Sequence, residues 1–206
     1  MAGKRSSGEG AARGAPKQVS EKHPAVVRQK PAAKEEAGQV KRGRSHAGLL
    51  SVEVDLLVEA EGWPARDELA AIARKAVDAT LAQLGARSRG PSELSLVFSN
   101  DGAIKELNAG WRGKDKPTNV LSFPAFPIEP GDPLPPMLGD IVLAIETISR
   151  EASLEEKLFE HHLTHLIIHG LLHLLGYDHE TDEEAEAMET TERRVLARLA
   201  IPDPYA

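Results

Sequence analysis

His165-Leu-Ile-Ile-His169-Gly-Leu-Leu-His173-Leu-Leu-Gly176-Tyr-Asp-His179 decides how this chain is read. His169 and His173 stand four apart, so on a helix both imidazoles leave one face, about 6 Å apart along the axis. That bite suits one zinc ion at about 2.0–2.1 Å from each nitrogen. Gly176 can take the left-handed conformation that ends a helix, and the chain then turns back to offer His179 as a third ligand. Three neutral nitrogens leave a fourth position for water, the arrangement of catalytic rather than structural zinc, so one Zn2+ per chain is expected. A three-histidine site also accepts other divalent ions. The surrounding residues are apolar nearly all round (Leu163, Leu166, Ile167, Ile168, Leu171, Leu172, Leu174, Leu175). Unpartnered imidazoles buried among them would cost about 1–3 kcal/mol each, a penalty that a metal removes. His165 lies one turn back on the same stripe. Three in-line helical residues cannot surround one ion, so His165 reads as a packed histidine behind the ligands. His161 and His162 read as helix surface.

Working outward, helical spacing runs from Leu154 to Leu175 as one long helix and again from Asp182 to Leu199. Upstream, Asp140-Ile-Val-Leu-Ala-Ile145 reads as a strand. Six prolines between Pro124 and Pro136 mark a loop, because proline cannot donate to a sheet ladder. Asn119-Val-Leu-Ser-Phe123, Glu93-Leu-Ser-Leu-Val-Phe98 and Ser51-Val-Glu-Val-Asp-Leu56 read as three further strands. Leu69, Ile72, Ala73, Ala76, Val77, Thr80, Leu81 and Leu84 fall at helical spacing between Pro64 and the stop at Gly85. Asn100 or Asp101 caps a short helix carrying Ile104 and Leu107. The expected architecture is α+β: a small mixed four-stranded sheet with a C-terminal helical layer carrying the histidines.

The chain of 206 residues is 41% hydrophobic, enough for one domain with a core. Residues 1–48 carry eleven Lys/Arg and four Glu, a charge of +7, whereas the rest carries 14 basic and 28 acidic residues, a charge of −14. The first 48 residues lack aromatic side chains and nearly lack Leu and Ile, so a disordered basic tail is expected there, with the domain over 49–206. The tail also offers a loose RNA-contacting arm. A domain so acidic holds RNA only through a local basic patch. There is no cysteine, which excludes disulfides, thiolate metal sites and cysteine nucleophiles and fits a reducing cytoplasm. No apolar run approaches the roughly 20 residues that span a bilayer, so no membrane partner is expected.

The histidine spacing matches the zinc-protease pattern His-Glu-x-x-His-x-x-Gly-x-x-His except at one position. Gly170 stands where those enzymes place the glutamate that accepts the proton of water. A metallopeptidase is therefore a minor reading. The segment His169–His179 resembles instead the signature of the YbeY family, bacterial endoribonucleases that mature ribosomal RNA. Leu107-Asn-Ala-Gly-Trp-Arg112-Gly-Lys-Asp-Lys-Pro-Thr-Asn-Val-Leu-Ser-Phe-Pro124 is similar to that family's other characteristic stretch, and Leu138-Gly-Asp-Ile-Val142 to the strand that follows it. The resemblance runs from about residue 50 to 200, with Asn119 where many members carry aspartate.

What the resemblance implies is a zinc-dependent, single-strand-specific endoribonuclease. It would act in the cytoplasm on ribosomal RNA of the small subunit, in maturation and quality control, with no DNA partner expected. The residues agree with hydrolysis of a phosphodiester by water activated on zinc. Arg112 is the candidate for the scissile phosphate, because a guanidinium meets phosphate oxygens as a bidentate fork, although a structural ion pair is its other reading. Lys105, Lys114 and Lys116 are candidates for the basic patch. The general base is open: Asp178 adjoins a ligand, but holding His179 or capping the turn suits it equally. The competing function is a non-catalytic, zinc-braced ribosome-assembly factor.

Overall fold

The structure, a computed structural model, describes residues 52–206. The expected tail over residues 1–48 lies outside them. The elements run β1 (Val52–Val58), α1 (Arg66–Leu84), β2 (Ser92–Ser99), α2 (Asp101–Arg112), β3 (Val120–Pro124), β4 (Met137–Ala144), α3 (Ile145–Leu154), α4 (Phe159–Leu174) and α5 (Asp182–Arg198). The strands form one mixed sheet in the order β1-β2-β4-β3, parallel at the first two pairings and antiparallel between β3 and β4. This is the expected α+β fold with its four-stranded mixed sheet. No helix among the described residues is long and apolar enough to cross a membrane.

Both faces of the sheet are covered, which explains why its middle strands read as apolar runs rather than as alternation. Leu94, Leu96 and Phe98 of β2, with Ile141 and Leu143 of β4, join the main core with α1, α4 and α5. Val97, Val142 and Leu121 point the other way and pack with Ile104 of α2. Beneath the sheet, α4 buries Leu163, Ile167, Ile168, Leu171 and Leu172 with no exposure at all. Each such side chain contributes about 1.5–3 kcal/mol by leaving water, so burial dominates over the missing side-chain cap at Leu158.

Glycine decides two close approaches. Gly139 in β4 has φ +136°, and a Cβ there would stand 2.1 Å from the carbonyl oxygen of Phe123 on the neighbouring strand. Gly170 of α4 would place a Cβ 2.9 Å from Ile141 Cγ2 and 3.0 Å from Ser122 Oγ. The helix therefore lies directly on β3 and β4, and Ser122 Oγ donates to the Gly170 carbonyl at 3.1 Å.

The helix expected from Leu154 to Leu175 starts later, and a helix that the spacing did not signal precedes it. α3 ends at Leu154, and α4 begins only at Phe159. Between them Glu156 takes φ +53°, and the N–H of Lys157 reaches back to the Ala152 carbonyl at 2.8 Å. A left-handed helix stop built on glutamate carries no glycine signal, so helical spacing alone runs through it. The start of α3 was equally hidden, because its cap comes from another element. Asn100 caps α2 by accepting from the Ala103 N–H at 2.9 Å. Asp101 instead accepts from the N–H and hydroxyl of Thr147, at 3.1 and 2.6 Å, in the first turn of α3. The strand expected to reach Ile145 accordingly stops at Ala144.

Candidate metal centre and its cleft

α4 presents His169 and His173 one turn apart, as their spacing requires. Gly176, at φ +87°, then reverses the chain. A Cβ at Gly176 would lie 2.3 Å from the Ile128 carbonyl oxygen, so the proline-rich loop after β3 packs directly on this turn. Asp178 accepts the backbone N–H of His179 at 2.8 Å, and a capping box between Thr181 and Glu184 starts α5 immediately afterwards. These constraints bring His179 back to the helix. One ligand atom from each of His169, His173 and His179 lies within 4.8 Å of the others, a group able to hold a metal ion.

Hydrogen bonding fixes which nitrogen each helical imidazole can offer. His173 Nδ1 lies 3.1 Å from the Tyr177 carbonyl, which can only accept, so Nδ1 carries the proton. His169 Nδ1 lies 2.8 Å from Glu192 Oε1 and donates to that carboxylate. His173 therefore presents a lone pair on Nε2, as His169 does whenever Nδ1 carries its one proton, and the two Nε2 atoms face each other 3.1 Å apart. Two lone pairs at that distance repel unless a proton or a metal cation lies between them. Two nitrogens bound tetrahedrally to one zinc at 2.0–2.1 Å would be about 3.3 Å apart, so the donor set fits the ion. Burial, reinforced by the neighbouring His169 and His179, pushes the His173 pKa down to about 4, which keeps its imidazole neutral at pH 7.

Glu192 was not anticipated, and it is fully buried. Burial works to raise its pKa, but hydrogen bonds from His165, His169 and Tyr205 outweigh that and hold it down to about 2. The sequence held one sign of it. Met188, Glu192, Val195 and Leu196 are the buried residues of α5, and Glu192 is the one charged side chain on that stripe. His165 stands outside the trio, with Nε2 3.0 Å from Glu192 Oε2. His162 is not helix surface: it is 6% exposed, with Nε2 2.9 Å from Glu151 Oε2 of α3. The unexpected α3 lies alongside α4 and covers this histidine.

A cleft of about 480 Å3 opens beside the trio, lined by Arg112, Ser122, Phe126, His173, Asp178 and His179. Arg112, the last residue of α2, is exposed, and the left-handed Gly113 (φ 65°) stops the helix behind it. Among the described residues it has no ion-pair or hydrogen-bond partner, so the structural ion-pair reading has no counterpart there. Asn108 Nδ2 donates to the Lys116 carbonyl at 2.7 Å and pins the following turn. Of the three lysines, Lys114 and Lys116 are exposed, whereas Lys105 Nζ pairs with Asp115 at 3.3 Å.

The sequence profile described as Endoribonuclease YbeY matches residues 58–200. The chain is 53% identical over 162 residues to the Endoribonuclease YbeY of Sinorhizobium fredii, covering 76% of this chain and 94% of that protein. It is 54% identical over 163 residues to the Endoribonuclease YbeY of Agrobacterium fabrum, covering 77% and 97% respectively. A solution structure of a Thermotoga maritima protein is 26% identical, covers 71% of this chain and 91% of its own, and superposes with a TM-score of 0.47.

Proposed function

The chain belongs to the Endoribonuclease YbeY family, and from that premise we propose a zinc-dependent endoribonuclease that cuts single-stranded ribosomal RNA in small-subunit maturation and quality control in the cytoplasm. The observation that carries the metal part is the convergence of the Nε2 atoms of His169 and His173 at 3.1 Å, with a ligand atom of His179 within 4.8 Å. His169, His173 and His179 would hold the ion. When bound, zinc supplies Lewis acidity to a phosphoryl oxygen and lowers the pKa of water toward neutrality.

The remaining work falls to the protein's own groups. Arg112, exposed on the cleft wall and free of protein partners among the described residues, is available to grip the phosphate as a bidentate fork. Lys114 and Lys116 add local positive charge to an otherwise acidic domain, which binding a polyanion requires. Asp178 is engaged on the His179 backbone and serves there to hold the turn. Gly170 argues against peptide hydrolysis, since the contacts to Ile141 and Ser122 leave no room for a glutamate side chain at the position where zinc proteases carry their base.

The test is cleavage of a defined single-stranded fragment of small-subunit ribosomal RNA by the purified chain. Cleavage should disappear on chelation, return with zinc, and be weak on the same sequence held in a duplex. Cleavage indifferent to chelation would overturn the metal mechanism, and no cleavage of any ribosomal fragment would overturn the substrate.

A further inference from the structure

We propose that Glu192 is the positioning residue of the metal centre, locking His169 with its proton on Nδ1, and that the C-terminal Tyr205 in turn holds the Glu192 carboxylate. The inference rests on the metal reading above and extends it to residues outside the histidine signature.

Glu192 has no exposure, and its ion-pair partners among the described residues are two histidines, with no lysine or arginine. A buried carboxylate is tolerated when its lone pairs are met by donors. Oε1 receives His169 Nδ1 at 2.8 Å, and Oε2 receives His165 Nε2 at 3.0 Å and the Tyr205 hydroxyl. An ionised carboxylate only accepts, so all three partners donate. It follows that the proton of His165 sits on Nε2, and its buried Nδ1 has no hydrogen-bond partner among the described residues. The consequence for His169 is that Nε2 is left bare and aimed at His173 Nε2. With the opposite tautomer, an N–H would occupy the place where a metal ligand needs a lone pair. A carboxylate on the far nitrogen of a ligating imidazole also raises its basicity and fixes the ring's orientation.

Tyr205 is built in rather than loosely appended. The Arg193 guanidinium lies 4.8 Å over its ring and pairs with Asp203 at 3.3 Å. The Tyr205 N–H donates to Asp203 at 2.9 Å, and Lys157 Nζ donates to the Pro204 carbonyl at 2.9 Å. Residues 203–205 are thus held against Arg193 and Lys157, and Tyr205 supplies the third donor to Glu192.

Three measurements test this. In the metal-free wild-type protein, nitrogen-15 chemical shifts of His169, assigned with a His169→Gln variant, should report a protonated Nδ1 and a bare Nε2. The reverse tautomer would overturn the proposal without any Glu192 or Tyr205 variant having to fold. Zinc affinity, measured by chelator competition, should fall on the order of 10–100-fold in Glu192→Gln, with His169 spread over both tautomers. Tyr205→Phe keeps the ring under Arg193 and loses only the hydroxyl, so affinity should fall in the same direction by less, with the metal-free melting temperature close to wild type. Unchanged affinity and tautomer in Glu192→Gln would refute the role of Glu192, and wild-type behaviour of Tyr205→Phe would refute that of Tyr205. Failure of the wild-type protein itself to bind zinc would instead strike the metal reading, while the tautomer measurement would still judge Glu192.

Discussion

Replacing Gly176 by alanine should damage the fold and the metal centre together, and a second glycine supplies the control. Gly176 and Gly85 both have positive φ, +87° and +58°. An alanine in that region costs about 1–2 kcal/mol of backbone strain, offset in part by the less flexible unfolded chain. At Gly85 nothing lies within 4 Å of a new Cβ, so the net cost there should be about 1 kcal/mol. At Gly176 the Cβ would stand 2.3 Å from the Ile128 carbonyl oxygen and 3.0 Å from Glu129 Cα, both backbone atoms that cannot rotate away. Overpacking of this kind adds about 1–3 kcal/mol, for a total of about 2–4 kcal/mol. At about 2–4 °C per kcal/mol for a chain of this size, Gly176→Ala should melt about 4–16 °C lower and Gly85→Ala about 2–4 °C lower. Both should be measured with chelator present, so that loss of metal does not contribute. With zinc supplied, Gly176→Ala should also bind it weakly, because the displaced turn carries His179, whereas Gly85→Ala should bind normally. Equal destabilisation by the two variants, or normal zinc binding by Gly176→Ala, would show that the proline-rich loop yields freely and does not set the position of His179.

Two further outcomes are expected. Arg112→Ala should lower RNA cleavage on the order of 10²-fold or more with zinc content and melting temperature near wild type, and Arg112→Lys should restore part of it, since an ammonium keeps the charge but loses the fork. Unfolding of Arg112→Ala would mark the arginine as structural, and undiminished cleavage would move attention to Lys114 or Lys116. Gly170→Ala should lower stability by about 1–2 kcal/mol in denaturant titration, because crowding against Ile141 and Ser122 outweighs a helix-propensity gain of up to about 1 kcal/mol; a net gain in stability would show that Ile141 gives way and that a side chain at 170 is not excluded by packing.

The sequence by itself determined the features that are periodic or local. The spacing of His169 and His173 needs only helix geometry to put two imidazoles on one face, and the glycine stop signals the turn from which His179 returns. The strands, the first and last helices and a cap at Asn100 or Asp101 follow from short-range apolar patterns and side chains that serve their own backbone. What the tertiary structure alone decided lies where one element completes another. The boundary at Glu156 carries no glycine, and the cap of α3 comes from Asp101, 46 residues upstream of Thr147, so no local window contains either signal. The burial of His162 depends on α3 folding back beside α4. The need for glycine at 170 depends on how closely α4 settles on Ile141 and Ser122. Glu192 shows the limit most plainly. Its place on an apolar stripe can be read from α5, but its partners are a histidine 23 residues away on another helix and a tyrosine 13 residues on in the chain's last turn. A hydrogen bond forms at contact distance, and for residues so far apart in sequence only the packed chain sets that distance.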